Sequence, residues 1–269
     1  MTQLMCPVCK TKLLLKEKTW RCETGHSYDQ AKQGYVNLHV VQHKHSKNPG
    51  DTPESVAARR QFLATGAYHK LQQKIVEVVS QISAIRAMDI GCGEGYYTQA
   101  MAEQVPHLIG VDIAKNAVQI AAKQDTQKQV TWVVGTGAVL PVLDQSLQLC
   151  TSFFSPLPKA EMLRVLEVDG YLIMATPAEH HLHAMRAALF DEVKPHEPEK
   201  FIAQLAPEFK LMAQYLIEDD LNLSQQQLKD LVAMTPYAYK AKAEKREQLE
   251  SHSEFAVQAA FQLYVFTKI

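Results

Sequence analysis

Long apolar stretches are absent from this chain of 269 residues. No segment approaches the roughly 18 consecutive apolar residues that a membrane-spanning helix needs, and residues 1–7 lack the apolar core of a secretory signal. We therefore expect a cytoplasmic protein that has no membrane partner. Since 46% of the residues are hydrophobic, the chain can still bury a sizeable core in one large domain, with or without a small appendage.

A strong excess of either charge is also absent. The formal net charge is -1, which argues against a uniformly basic nucleic-acid-binding protein. The average conceals an asymmetry, because residues 1–60 carry ten lysines and arginines against five acids, whereas the rest of the chain carries 18 against 24. The basic N-terminal segment could attract a polyanion, or its lysines could simply form a solvated surface.

Cysteine is scarce, and its placement indicates a metal site. Five cysteines are too few for a disulfide framework, and three of them lie within the first 22 residues. Cys6 and Cys9 are separated by two residues, and Cys22 and His26 follow a segment that can form a short hairpin. This spacing can bring four ligands to one ion, so it predicts a structural Cys3His zinc site with no open position for water. The alternative is that the cysteines are incidental thiols and that His26 is a surface residue.

An alternation of helix and strand begins at about residue 70 and predicts a doubly wound α/β sheet. The expected strands are 86–90, 108–111, 130–134, 147–151 and 170–175. The expected helices are 71–82, 96–104, 115–123 and 159–166. Two later strands are expected at 210–217 and 254–267, and the second of these would be the reversed edge strand of the sheet.

A glycine-rich turn follows the first predicted strand of this sheet. It reads Asp89-Ile90-Gly91-Cys92-Gly93-Glu94-Gly95. Such turns serve nicotinamide and flavin cofactors as well as S-adenosylmethionine, so the turn alone does not decide the cofactor. We predict cofactor contacts from Gly91, Gly93 and Glu94, although the glycines could serve only to permit a tight turn.

Three details favour S-adenosylmethionine over a dinucleotide. Tyr96 stands where the dinucleotide fingerprint has its closing glycine or alanine. Asp89 can bind the ammonium group of an amino-acid-bearing cofactor, whereas it would repel a pyrophosphate. Asp112, at the end of the second predicted strand, can accept hydrogen bonds from both ribose hydroxyls, or it could cap the helix that begins near residue 115.

Further motifs lie before and after the glycine turn. They are Lys32-Gln33-Gly34-Tyr35-Val36-Asn37-Leu38, Pro49-Gly50-Asp51, Ala58-Arg59-Arg60-x-Phe62-Leu63, Ala175-Thr176-Pro177, His181-Leu182 and Met234-Thr235-Pro236-Tyr237. Together with the Cys3His start and the turn, they resemble the bacterial 23S rRNA (guanine-N1)-methyltransferases over essentially the whole chain.

The resemblance implies a Rossmann-like class I methyltransferase fold with a small N-terminal zinc-binding module, and S-adenosylmethionine and Zn²⁺ as cofactors. It implies methylation of N1 of a guanine in a hairpin loop of 23S rRNA, and it suggests a homodimer. It also adds Tyr68 and His181 to the cofactor site. We expect the zinc module at residues 1–36, a linker or helical segment over the cofactor site at 37–70, and the methyltransferase domain at 71–269.

Two other functions share parts of this pattern. A small-molecule methyltransferase would have the same core but would rarely need a basic, metal-binding appendage, and a zinc-dependent RNA-binding adaptor could dispense with the glycine turn, which is intact here. One loop departs from the family, because residues 152–158 replace its Tyr-Ala-Pro-like sequence. Phe153 and Phe154 of this loop are expected beside the transferred methyl group, or one of them packs in the core. The loop holds no carboxylate, so no general base is assigned.

Overall fold

The computed structural model describes residues 4–40 and 50–269. Lys44 and Lys47 of the basic segment, and Pro49 of one motif, lie outside the described residues.

The N-terminal segment forms a three-stranded antiparallel sheet in the order β1-β2-β3. Its strands are β1 (Leu14–Lys16), β2 (Thr19–Arg21) and β3 (Ser27–Asp29). Leu15 pairs with Trp20, and Trp20 pairs in turn with Tyr28. The hairpin expected from the sequence is therefore present, and a third strand extends it.

The second sheet has eight strands in the order β10-β11-β9-β8-β5-β6-β7-β4. They are β4 (Val36–Asn37), β5 (Arg86–Ile90), β6 (His107–Asp112), β7 (Val130–Val134), β8 (Leu147–Phe153), β9 (Leu166–Pro177), β10 (Phe209–Ser224) and β11 (Glu254–Lys268). The neighbours from β4 to β9 are parallel, whereas β11 runs antiparallel to both β9 and β10. The expected reversed strand is thus β11, and it lies one position inside the edge, which β10 forms.

Ten helices lie in the described part of the chain. They are α1 (Pro53–Ala64), α2 (His69–Ile82), α3 (Tyr96–Met101), α4 (Lys115–Gln124), α5 (Lys159–Val165), α6 (His183–Leu189), α7 (Lys200–Leu205), α8 (Gln225–Ala233), α9 (Tyr237–Lys240) and α10 (Ala243–Glu250). Within residues 4–40 and 50–269, none of them combines the length and the apolar character that crossing a bilayer requires.

Local capping sets the start of two helices that pack together. The hydroxyl of Thr52 accepts a hydrogen bond from the Ser55 N–H, and Pro53 occupies the first position of α1. Ser224 and Gln227 form a capping box at the start of α8. A Cβ added at Gly50 would lie 2.9 Å from Cβ of Ala114, at the start of α4, so the chain at residue 50 lies beside the carboxyl end of β6. The following helix, α1, packs on α8 and also contacts α4.

Successive residues of the parallel strands face two different apolar clusters. Ala87 and Leu108 belong to the larger cluster, whereas Met88 and Ile109 belong to the other, which also contains the buried residues of the N-terminal segment. Strands that are buried on both faces in this way give nearly continuous apolar runs, as expected for a parallel sheet covered on both sides.

The N-terminal segment is joined to the large sheet. Leu4 forms a β-bridge with Val142, and the buried side chains of Leu4, Leu13 and Trp20 share one apolar cluster with Met88. Further along, β4 pairs with β7 as the edge strand. The boundary expected at residue 36 falls within β4, and the division into segments 1–36, 37–70 and 71–269 remains a prediction.

Close packing between β6 and β7 depends on a glycine. A Cβ added at Gly110 would lie 2.6 Å from Cζ3 of Trp132. The indole is 2% exposed, and its Nε1 donates to a carboxylate oxygen of Asp125, so it cannot move aside. The absence of a side chain at Gly110 therefore allows β6 to lie against Trp132 of β7.

We expect the Gly110→Ala substitution to lower the free energy of unfolding by about 1–3 kcal/mol, the usual cost of overpacking a core. Urea denaturation measures this change. The matched control is Gly137→Ala, whose added Cβ would meet its nearest neighbour, Cγ of Pro158, at an ordinary 3.6 Å. The control should shift stability by no more than about 0.5 kcal/mol. Equal stability of the two variants would contradict the packing argument.

Candidate functional site

Four side chains of the N-terminal sheet form a cluster of metal-ligating groups. The ligand atoms of Cys6, Cys9, Cys22 and His26 all lie within 4.8 Å of one another. The Cys9 and Cys22 sulfurs are 3.6 Å apart, and the Cys6 sulfur is 3.7 Å from Nδ1 of His26. Ligands of a tetrahedral zinc ion with Zn–S bonds of about 2.3 Å are about 3.8 Å apart, so the cluster fits zinc.

Hydroxyl groups surround the thiols of this cluster. Oγ1 of Thr11 lies 3.1 Å from the Cys9 sulfur, and Oγ1 of Thr24 lies 3.1 Å from the sulfurs of both Cys9 and Cys22. Hydrogen bonds from Thr11 and Thr24 lower the pKa of Cys9 to about 5. Because the thiolate is the form that ligates metal, these hydroxyls favour binding and orient the ligands.

The glycine turn connects β5 to α3 under tight steric limits. A Cβ at Gly91 would lie 2.4 Å from Cβ of Ser155, whose hydroxyl donates to the Ile90 carbonyl. Gly93 has a φ of 55° and its Cβ position is nearly open. The turn and the loop after β8 are therefore packed together, which places the loop that departs from the family pattern beside the expected cofactor site.

Asp112, the last residue of β6, holds the turn in place. Its Oδ2 accepts from the Gly93 N–H at 2.9 Å, and its Oδ1 accepts from the Ala114 N–H at 2.7 Å. Ala114 is the N-cap residue of α4, so Asp112 contacts the start of the helix without being its capping residue. Each carboxylate oxygen keeps a second acceptor position, so the predicted ribose contact stays compatible with the geometry.

Asp89 has a more enclosed environment than the sequence suggested. It is 2% exposed, and its two oxygens accept hydrogen bonds from Thr98 of α3 and Thr151 of β8. Burial raises the pKa of Asp89 to about 6. The carboxylate thus connects β5, α3 and β8 beneath the turn. Its contact with the ammonium group of a cofactor remains a prediction.

Tyr68 and His181 lie together, although 113 positions separate them in the chain. Both rings pack on Phe261 of β11, with centroid distances of 4.7 Å for Tyr68 and 4.8 Å for His181. Burial lowers the pKa of His181 to about 3, so the ring is neutral. Its Nδ1 accepts from the Ala260 N–H at 3.2 Å, which leaves the proton on Nε2 as a donor.

Aromatic rings in tilted and edge-on contacts connect this pair to the glycine turn. Tyr97, at the start of α3, lies 5.2 Å from Phe153 and 6.2 Å from Phe154, and Phe154 lies 5.6 Å from Phe261. Phe153 is buried, whereas Phe154 is 44% exposed and has a φ of 58°. The structure therefore brings the predicted residues of the turn, Tyr68 and His181 to one region at the carboxyl end of the sheet.

Sequence reasoning missed two residues of this region. Phe261 gave no signal, because an aromatic residue in a strand is ordinary. Arg59 of α1 lay within a quoted motif, but nothing in the sequence distinguished it from Arg60. In the structure, Arg59 pairs with Asp51 and its guanidinium lies over the turn, near Glu94.

Two family models match the chain. One is the zinc-ribbon family described as "RlmA, N-terminal", which covers residues 4–47. The other is described as "Methyltransferase domain" and covers residues 87–170. The first confirms the expected zinc-binding module, and its range contains all four residues of the metal cluster.

Two curated relatives match most of the chain. A 23S rRNA (guanine(748)-N(1))-methyltransferase from Streptomyces fradiae is 31% identical over 243 residues, which are 88% of this chain and 85% of the relative. A putative 23S rRNA (guanine-N(1)-)-methyltransferase from Micromonospora griseorubida is 30% identical over 88% of this chain and 86% of its own. By contrast, a malonyl-[acyl-carrier protein] O-methyltransferase from Bacillus cereus is similar over 66 residues, 24% of this chain.

Solved structures support the fold alone. The YcgJ protein from Bacillus subtilis superposes with a TM-score of 0.51 at 18% identity, covering 73% of this chain and 98% of that one. A putative methyltransferase from Bacillus halodurans gives 0.50 at 14% identity, covering 72% and 98%. The expected class I methyltransferase fold with an appended zinc-binding module is therefore confirmed.

We expect the Cys22→Ser substitution to release the metal, because a serine hydroxyl replaces one of the thiolates. Since Cys22 is also buried in the apolar cluster shared with the large sheet, the melting temperature should fall as well. Metal analysis of the purified variant and a thermal melt measure the two effects. Cys150→Ala, which removes a buried thiol that is not among the four metal-ligating residues, should retain the metal. A Cys22→Ser protein with a full complement of zinc would contradict the assignment.

Proposed function

Because the chain belongs to the 23S rRNA (guanine-N1)-methyltransferases, we propose that it transfers a methyl group from S-adenosylmethionine to N1 of a guanine in a hairpin loop of that RNA. The observation that carries this proposal is the similarity to the Streptomyces fradiae enzyme over 85% of that enzyme's length, with the zinc ribbon and the methyltransferase domain in one chain. Since the proposed substrate is ribosomal RNA, we propose that the reaction takes place in the cytoplasm.

The proposed cofactor site lies where the turn meets the aromatic rings. Asp112 would accept from the ribose hydroxyls, Gly93 and Glu94 would line the amino-acid end, and Tyr68 and His181 would close the site from the side of β11. When bound, S-adenosylmethionine supplies an electrophilic methyl group on a sulfonium. The chain contributes alignment and exclusion of water, which suffice for much of the acceleration of an in-line displacement.

Phe154 is the residue best placed to receive the guanine. Single-stranded bases are commonly recognised by stacking on aromatic side chains. Phe154 combines an exposed ring with a left-handed backbone that is costly for a bulky residue, and such strain is often found at functional sites. It lies next to Ser155, which contacts the glycine turn, so a base stacked on it would lie close to the cofactor.

The proton on guanine N1 must leave during the reaction. His181 is poorly suited to accept it, because its pKa is lowered to about 3 and its Nδ1 already accepts a hydrogen bond. Residues 152–158 contain no carboxylate. We therefore assign the proton to water, which requires that the site admit one solvent path once the base is bound.

The zinc ribbon is the proposed RNA-binding surface. The structure exposes six of its basic side chains, namely Lys10, Lys12, Lys16, Lys18, Arg21 and Lys32. Lysine and arginine contacts to phosphate give affinity that falls with salt. Two such ribbons in a homodimer would form a broader basic surface, and we propose that assembly on the resemblance to the family.

The proposed activity is tested with purified protein, labelled S-adenosylmethionine and ribosomal RNA from a strain that lacks the gene. We expect the label in the large-subunit RNA, and nuclease digestion with mass spectrometry should identify 1-methylguanosine. RNA from the parent strain, whose target is already methylated, is the control and should accept little label. Label on adenine, on cytosine or at N7 of guanine would refute the proposal.

The Phe154→Ala substitution should slow rRNA methylation about tenfold or more, because base-aromatic stacking is worth about 1–3 kcal/mol. Affinity for S-adenosylhomocysteine should stay near the wild-type value. Single-turnover methylation measures the rate, and calorimetry measures the affinity.

Two further variants separate stacking from simple packing at this position. Phe154→Tyr keeps an aromatic face and should remain active, whereas Phe154→Leu keeps apolar bulk and should be slow. A fully active Phe154→Leu protein would show that the ring only fills space.

A further inference from the structure

A pair of opposite charges at the glycine turn, Arg59 and Glu94, is incompletely bonded. Nε of Arg59 lies 3.7 Å from Oε2 of Glu94, which is beyond hydrogen-bond distance. Both atoms are buried, and neither has a hydrogen-bond partner among the described residues. Glu94 is only 5% exposed. Leaving a charged donor and a charged acceptor buried in this way is costly, so the arrangement indicates a missing partner for each.

The position of Arg59 is fixed by contacts on both sides. Another nitrogen of its guanidinium pairs with Asp51, just before α1. A Cβ added at Gly93 would have Nη1 of Arg59 as its nearest neighbour, at 3.6 Å, so the guanidinium lies directly against the turn. The helix that carries Arg59 packs on α8 and contacts α4. The guanidinium is therefore held over the turn rather than free in solvent.

The surroundings of Arg59 are acidic. Asp51, Glu94 and Asp112 all act on it electrostatically, and burial raises the pKa of both Glu94 and Asp112. A ligand that satisfied Nε of Arg59 must bring an acceptor, and one that satisfied Oε2 of Glu94 must bring a donor. Because the two atoms are 3.7 Å apart, the ligand must carry both groups close together.

We infer that Arg59 and Glu94 bind the amino-acid end of S-adenosylmethionine, with the carboxylate on Arg59 and the ammonium on Glu94. An α-amino acid carries the required acceptor and donor on one carbon atom, and both are charged, which strengthens each hydrogen bond. Asp112 accepts a hydrogen bond from the same turn through the Gly93 N–H, and it is the proposed acceptor for the ribose of the same ligand. The inference rests on the cofactor of the proposed function and is independent of the RNA substrate.

Two ligands distinguish contacts to the amino-acid end of the cofactor from contacts to its adenosine end. S-Adenosylhomocysteine has the complete amino-acid end, whereas 5′-methylthioadenosine has the same adenosine and thioether without it. Calorimetric titration of both ligands should give a roughly tenfold or greater loss of S-adenosylhomocysteine affinity for Arg59→Gln, and a nearly unchanged affinity for 5′-methylthioadenosine. Asp112→Ala should lower the affinity for both ligands, because both contain the ribose.

Arg60→Gln is the matched control, because it neutralises the adjacent, exposed arginine of the same helix and should leave both affinities unchanged. A thermal melt of each variant checks the fold, and Arg59→Lys, which keeps the charge, should give an intermediate loss specific to S-adenosylhomocysteine. The inference would be overturned if Arg59→Gln lowered the affinities for the two ligands equally, or lowered neither. Arg59 would then only connect Asp51 to the glycine turn. If the wild-type protein bound neither ligand, the proposed function itself would fail.

Discussion

The carboxylate of Asp112 fixes the chain after β5 relative to the chain after β6, its parallel neighbour. By accepting from the N–H groups of Gly93 and Ala114, it fixes the turn after β5 against the start of α4. The rest of the site depends on this link, because the turn carries Glu94 and leads into α3, whose Tyr97 begins the line of aromatic rings. Burial raises the pKa of Asp112, and the two backbone donors counter that effect. Each of these oxygens keeps a second acceptor position for a ligand.

The zinc ribbon is built into the fold rather than attached by a flexible tether. Leu4 and Trp20 lie in the same apolar cluster as Met88 of the central strand, and β4 completes the large sheet. Metal binding orders a segment that is too short to fold on its own apolar burial. Through this shared cluster, the ribbon packs against one face of the large sheet, which fixes its basic surface relative to the proposed cofactor site.

Local signals in the sequence were sufficient to predict the strands of the parallel core and the metal ligands. The limits of β5 and β7 match the expectation, because apolar runs and flanking turns are local features. The expected helix at 96–104 is shorter in the structure, and β10 extends seven residues beyond the expected end at residue 217. Arg59 and Phe261 could not be found this way, because each acquires its role only when distant segments meet. Asp89 was identified, but its two threonine partners come from separate elements.

We conclude that this arrangement methylates the Watson–Crick face of a guanine in 23S rRNA. A methyl group at N1 blocks base pairing, so reverse transcriptase stops beside it. Primer extension across 23S rRNA from a strain lacking the gene, with and without a plasmid copy, tests the claim most directly. We expect a single stop that appears only with the plasmid and lies next to a guanine in a hairpin loop. Identical stop patterns in the two strains would contradict it.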